Sequence, residues 1–192
     1  VVIAILASYT ALDLAGRVTA AHGRARYTWL IGGAVVMGIG IWSMHFTAML
    51  AFQLSIPVTY DVPTVLASLL AAILASGVAL YLASGRVLGI LRLLTGGLVM
   101  GIAIAAMHYV GMAAMRLPAA LSYDPLLSAL SIAIAMSASS AALWLAFRLR
   151  GAQTAAGNWW KSGSAVVMGA AIAGMHYTAM MASRFTSSDV AV

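Results

Sequence analysis

Six long apolar segments, separated by short stretches that contain Gly, Pro and charged residues, dominate this 192-residue sequence. A helix needs about 20 apolar residues to cross the hydrocarbon core of a bilayer. The segments do not alternate every second residue, which excludes membrane β-strands. The sequence therefore predicts an all-α fold, a polytopic membrane helix bundle with six visible spans at 1–15 (partial), 30–52, 63–83, 93–115, 125–147 and 162–183.

The composition agrees with a membrane domain, because 64% of the residues are hydrophobic and only 7% are charged. A soluble domain carries roughly 25% charged residues. We expect one membrane domain over 1–192, joined to further chain, with a seventh span after Val192. The sequence has no Cys and no Glu, and we find no nucleophile–base pair or acid–base couple, so we expect no enzyme within this segment.

The distribution of basic residues predicts the orientation of the bundle. Eight basic residues fall on one side of the membrane, which is cytoplasmic by the positive-inside rule: Arg17, Arg24, Arg26, Arg86, Arg92, Arg148, Arg150 and Lys161. The other side holds Arg116 and Arg184 with Asp61, Asp124 and Asp189. We expect the cytoplasmic (inner) membrane as the location. The basic residues lie between apolar runs, so nucleic acid is not an expected partner.

A threefold repeat runs through the second, fourth and sixth spans. Around His45, His108 and His176, Met recurs at −8, −1 and +4, Gly at −7 and an aromatic residue at +1. The histidines are 63 and 68 residues apart, and the repeats are centred on 30–83, 93–147 and 162–192, the last one truncated. This register predicts a duplicated helix pair. Nine of the twelve methionines occupy it: Met37, Met44, Met49, Met100, Met107, Met112, Met168, Met175 and Met180.

Each histidine is predicted roughly 22 Å above the cytoplasmic end of its helix, in the outer third of a core about 30 Å thick. If the three helices are neighbours, imidazoles and thioethers converge, which is the ligand set that suits copper, especially Cu(I). The predicted metal ligands are His45, His108, His176, Met44, Met49, Met107, Met112, Met175 and Met180. The −8 methionines are expected to serve packing.

Several alternatives stay open at this point. Interhelical hydrogen bonds among three imidazoles explain the histidines without any metal. Zinc is less expected than copper, because it prefers Cys, His and carboxylate ligands. Two histidines can hold a haem, and a ladder of methionines can pass Cu(I) through the bilayer in a copper transporter.

Other polar residues have simpler explanations. His22 is expected in a solvated loop, and Asp13 with Arg17 is expected to form an i,i+4 pair. Asp61 and Asp124 precede prolines, as in turns, and a role in orienting a histidine ligand is the alternative.

The motif Met-His-Tyr-Thr is complete at Met175–Thr178, with three of four positions kept at Met44–Thr47 and Met107–Val110. The chain resembles the MHYT domain, a bacterial integral-membrane sensor module. The resemblance implies a sensory input domain joined to a cytoplasmic output domain, such as a cyclic di-GMP enzyme or a histidine kinase. It also implies sensing of oxygen, carbon monoxide or nitric oxide through bound copper. Phe46 and Val110 depart from the motif, so neither hydroxyl is required in every repeat. Formation of a homodimer is left open.

Overall fold

The structure is a computed structural model that describes residues 1–52, 57–85, 87–151 and 155–187. Within these ranges, six helices are long and apolar enough to cross a membrane, which confirms the predicted all-α membrane bundle. The helices are α1 (Val2–Ala20), α2 (Gly23–Leu50), α3 (Val62–Ala83), α4 (Ile90–Ala113), α5 (Pro125–Leu149) and α6 (Ala155–Ala182).

The end of the bundle that holds most of the basic residues, which we call the basic end, is where helices extend beyond the predicted spans. Helix α1 continues to Ala20 instead of stopping at residue 15, α2 begins at Gly23 instead of 30, and α6 begins at Ala155 instead of 162. Apolar composition marks only the part of a helix that lies in lipid, whereas the backbone hydrogen bonds continue into the headgroup region. Helix α4 begins at Ile90 instead of 93, and α5 ends at Leu149 instead of 147. Six basic residues predicted between spans therefore lie within helices: Arg17, Arg24, Arg26, Arg92, Arg148 and Lys161. Arg86 and Asp189 lie outside the described residues.

The six helices form a closed ring in which each helix packs against its neighbours in the chain and α6 packs against α1. Glycine at the −7 position of each repeat permits close approach of the paired helices. A Cβ on Gly38 would lie 2.6 Å from the Cα of Ile73, and a Cβ on Gly101 would lie 2.5 Å from the Cα of Met136. Gly169 faces Ile5 in the same way, at 2.8 Å from its Cα. The glycine of each repeat thus permits the close spacing of its helix and the helix beside it.

The odd-numbered helices follow the same register as the histidines, although their sequences show it less clearly. Toward the basic end they contribute a core of equivalent residues, spaced by 68 and 63: Leu12, Leu80 and Leu143, with Ala15, Ala83 and Ala146. All six are buried. The bundle is therefore a pseudo-threefold arrangement of three helix pairs.

Lys161 is the largest fully buried side chain among the described residues, with 2% of its surface exposed, rather than a solvated loop residue. Its Nζ lies 3.7 Å from Asp13 Oδ1. The predicted pair of Asp13 and Arg17 also forms, at 2.7 Å. This ion cluster joins α1 to α6, which are neighbours in the ring but are not consecutive in the chain.

The opposite end of the bundle, which we call the outer end, carries two antiparallel strand pairs that the sequence did not predict. Strand β1 (Thr59–Tyr60) pairs with β2 (Met115–Arg116), and β3 (Ala119–Tyr123) pairs with β4 (Ser183–Ser187). Each pair links the end of an even helix to the loop before an odd helix. The strands are too short and irregular in hydropathy to be recognised by pattern.

Candidate metal centre

The three repeated histidines meet on the axis of the bundle near its outer end. His45 lies five residues before the end of α2, His108 five before the end of α4, and His176 six before the end of α6. Their side chains are 0%, 0% and 2% exposed. We call this cluster the histidine triad. The structure thus brings together the three histidines at one depth, as the repeat predicted.

The Nδ1 atoms of the triad face one another. His45 Nδ1 lies 3.2 Å from His108 Nδ1 and 3.3 Å from His176 Nδ1, and a set of one ring nitrogen from each histidine falls within 4.8 Å. Three nitrogens bound at about 2.0 Å to one ion would stand about 3.3–3.5 Å apart, in tetrahedral or trigonal geometry. The two separations from His45 Nδ1 therefore match those of ring nitrogens bound to one metal ion.

Hydrogen bonding alone does not satisfy the triad. A neutral imidazole has one N–H and one acceptor nitrogen. When Nδ1 of His45 or His108 donates to Nδ1 of the other, the accepting ring must carry its single N–H on Nε2. Both Nε2 atoms are buried and have no hydrogen-bond partner among the described residues. Each arrangement therefore leaves a buried Nε2 donor unpaired among the described residues, whereas deprotonated Nδ1 atoms could bind a shared cation.

Gly111 supports this geometry and was missed in the sequence. The position three residues after the histidine is Ala48 in the first repeat and Ala179 in the third, but Gly111 in the second. A Cβ on Gly111 would collide with His45 Nε2. The departure of one repeat from alanine was the signal for this contact, although the sequence could not say which ring it faced.

The predicted methionine ligands lie in and around the protein interior. Those at −1 are all buried, with Met44, Met107 and Met175 at 5%, 1% and 2% exposure. Among those at +4, Met49 and Met112 are buried and Met180 is half-buried. The −8 methionines, Met37, Met100 and Met168, belong to the apolar core, in agreement with a packing role.

The aromatic residues at +1 pack edge-on against their own histidines, with ring centroids 5.0, 5.0 and 5.6 Å apart for Phe46, Tyr109 and Tyr177. Tyr109 also bonds Ser131 Oγ at 2.8 Å and packs against Tyr123 of β3. Burial, together with Tyr109, raises the pKa of Tyr123 to about 12. Each histidine of the triad is therefore flanked by the aromatic ring that follows it in the chain.

Asp61 and Asp124 hold the outer turns in this structure. Asp61 accepts from Thr64 N at 3.1 Å and pairs with Arg116 at 3.2 Å. Asp124 caps α5 and pairs with Arg184 at 2.6 Å. The described contacts of both carboxylates are with these groups, which explains them without any link to the triad. Hydrogen bonds from the Thr64 side chain and backbone, followed by Arg116, lower the pKa of Asp61.

Comparisons with known proteins agree with the repeat. The sequence model of a family described as "Bacterial signalling protein N terminal repeat", MHYT, matches residues 38–96 and 101–157. Over 96% of its length the chain is 56% identical to the bifunctional diguanylate cyclase/cyclic di-GMP phosphodiesterase MucR of Pseudomonas aeruginosa, of which it covers 27%.

Two further relatives show the same pattern. The chain is 41% identical to the signalling protein YkoW of Bacillus subtilis, over 96% of this chain and 23% of that protein. It is 43% identical to the cyclic di-GMP phosphodiesterase NbdA of P. aeruginosa, over 94% of this chain and 23% of that protein. The chain thus spans about a quarter of these curated relatives. No solved structure matches it significantly.

Proposed function

The chain belongs to the MHYT family of bacterial signalling proteins, and from this premise we propose that it is a sensory input domain that holds one copper ion in the histidine triad. The observation that carries the proposal is the convergence of three buried Nδ1 atoms at 3.2 and 3.3 Å. Family membership supports the sensory role, and the triad supports the metal.

The choice of copper follows from the ligands available. Three neutral imidazoles and surrounding thioethers suit Cu(I), while the sequence offers no thiolate and no Glu. The six methionines at −1 and +4 are proposed to complete or exchange with the imidazole ligands: Met44, Met49, Met107, Met112, Met175 and Met180. Copper would supply a site for a small ligand, and the bundle would keep bulk water away from it.

We propose a diatomic gas, namely oxygen, carbon monoxide or nitric oxide, as the ligand that is sensed. Three nitrogen ligands leave room for a further ligand on the metal. An uncharged diatomic molecule reaches such a buried site through lipid without a polar channel. Binding would alter the bundle only as far as the two packing states differ in affinity.

The output of the sensor is proposed to be a cytoplasmic domain of the same protein. The relatives are about four times as long as this chain, and two of their names state cyclic di-GMP synthesis or hydrolysis. We therefore propose a cyclic di-GMP enzyme as the output and assign no catalysis to this membrane region. We place the basic end of the bundle in the cytoplasm and the triad toward the outer face of the inner membrane.

Haem is a weaker candidate than copper. Two nitrogens on opposite sides of a haem iron would be about 4 Å apart, at about 2.0 Å per bond. The two Nδ1 separations from His45, 3.2 and 3.3 Å, are shorter than that. A copper transporter is the alternative function. It is favoured by Met37, Met100 and Met168, whose side chains line the cavity on the basic side of the triad.

Metal content of the purified protein tests the proposal. We expect about one copper per chain after loading with Cu(I) and loss of most of it in His108→Ala. His22→Ala is the matched control, because His22 lies at the start of α2, away from the triad. Equal copper in all three proteins, or none in the parent, would reject the triad as the site. Copper flux into vesicles would favour the transporter, and a Soret band would favour haem.

A further inference from the structure

A second feature on the axis of the bundle is a cavity of about 80 Å³ on the basic side of the triad. Residues from all six helices line it, and it reaches up to Met175, next to His176. An apolar cavity of about 150 Å³ is large enough to take benzene or xenon. This axial cavity therefore has room for a molecule of a few heavy atoms.

Three serine hydroxyls line the axial cavity at equivalent positions of the odd-numbered helices. Ser8, Ser76 and Ser139 are 68 and 63 residues apart, the same spacings as in the repeat. Their side chains are 2%, 2% and 3% exposed. None of the three Oγ atoms has a hydrogen-bond partner among the described residues.

An unpaired buried hydroxyl is costly, and native proteins rarely leave one without a partner. Serine in a membrane helix usually bonds to the carbonyl four residues earlier, as Ser140 does with Met136 O at 2.9 Å. The three equivalent hydroxyls do not form this bond, and all three line one cavity. An apolar cavity with a few convergent polar groups is the arrangement typical of a binding site.

The rest of the lining limits the chemistry of the ligand. Apart from the three serines, the lining residues are Ala, Leu, Ile and Met, with no charged side chain among the described residues. We propose that the axial cavity binds a small uncharged molecule of about three or four heavy atoms, mostly apolar with one hydrogen-bonding group, held by Ser8, Ser76 and Ser139. The site is independent of copper and lies between the triad and the inner core.

This position gives the ligand a way to act on the bundle. The cavity contacts Met37, Met100 and Met168 of the even helices and the serines of the odd helices. A molecule held there contacts both members of every helix pair. It favours whichever packing state keeps the cavity open.

Binding of 2-fluoroethanol to the metal-free protein in lipid nanodiscs tests the proposal, because this probe has four heavy atoms and one hydroxyl. Fluorine NMR is expected to show saturable binding of about one molecule per chain above the background of empty nanodiscs. Ser76→Ala is expected to weaken the affinity about two- to tenfold, as loss of one hydrogen bond does. Ser140→Ala, which removes a neighbouring hydroxyl outside the cavity lining, is expected to leave the affinity unchanged.

A filled cavity provides the second arm of the test. Ala75→Leu places a larger side chain in the lining and is expected to abolish binding, and Ala138→Leu does the same at the equivalent position of the next repeat. Thermal unfolding of each variant shows that it is folded, and Ser76→Ala adds no bulk. Absence of saturable binding, as for a cavity that holds water only, would overturn the proposal. So would binding of xenon without fluoroethanol, or equal affinity in Ser76→Ala and the parent.

Discussion

Replacing Gly111 with alanine tests whether the geometry of the triad, rather than its mere composition, makes the metal site. The substitution changes no proposed ligand and adds one methyl group on α4. That methyl group would collide with Nε2 of His45. Carbon and nitrogen atoms pack at about 3.5 Å, so the imidazole would have to retreat by about 1 Å. Its Nδ1 would move away from the point that it shares with His108 and His176.

The expected loss of affinity is large compared with the effect on folding. Disturbing the groups that orient a metal ligand typically costs about 10- to 100-fold in affinity, and we expect a loss in this range for Cu(I). Helix propensity acts in the opposite direction, because alanine in place of glycine favours a helix by about 1 kcal/mol. The variant is therefore expected to remain folded while it binds copper poorly.

The assay is a competitive titration of Cu(I) against a chelator of known affinity, with thermal unfolding of the same samples. Gly174→Ala is the matched control, because Gly174 lies two residues before His176 and a Cβ there meets no atom of the described structure within 4 Å. The control is expected to bind as the parent does. If Gly111→Ala also binds as the parent does, His45 does not hold the ion in the position described, and the reasoning is refuted.

Three further predictions concern the stability of the bundle. Gly38→Ala is expected to destabilise it by about 1–3 kcal/mol, because a new Cβ meets the backbone of α3, whereas Gly32→Ala has open space and is expected to cause no such loss in thermal unfolding. Asp13→Ala is expected to cost about 3 kcal/mol because it removes the partner of a buried cation, and a smaller effect than that of Lys161→Met would contradict the ion cluster. The lowered pKa of Asp61 means that its carboxylate stabilises the fold above its ordinary pKa of 3.8, and that this stabilisation is lost as pH falls through the lowered value. In Asp61→Asn, stability is therefore expected to depend less on pH in this acid range. An unchanged dependence of stability on pH would argue against a role of the Asp61 carboxylate.

The sequence was sufficient to predict the helices and the triad because both depend on strong periodic signals. Apolar length predicted six spans, and the repeated Met-His pattern predicted that His45, His108 and His176 lie at one depth. What composition could not predict was where helices end outside lipid. Lys161 was assigned to a loop for this reason, although it is buried against Asp13.

The outer end of the bundle was harder to predict from sequence. Arg116 and Arg184 were assigned to the outer side, but their pairing with Asp61 and Asp124 needs the strand register that only the structure provides. A spacing of 63 and 68 residues relates these pairs to one another. Comparison of the charged residues in the repeat register would have indicated them.

The serines of the axial cavity illustrate a different limit. Ser8, Ser76 and Ser139 follow the repeat spacing, but serine is common in membrane helices and normally bonds to its own backbone. Only the direction of the side chains and the absence of partners among the described residues single them out. The repeat is recognisable in the even-numbered helices because His and Met are less common in membrane helices than Ser is.

X-ray absorption spectroscopy of the copper-loaded protein tests the central claim most directly. We expect a first coordination shell with about three nitrogen atoms at about 2.0 Å, the imidazole signature, and any thioether as a sulfur near 2.3 Å. His108→Ala is expected to lose one imidazole from that shell, and His22→Ala is expected to leave it unchanged. A shell without imidazole, or one that His108→Ala does not alter, would contradict the assignment of the triad as the copper site.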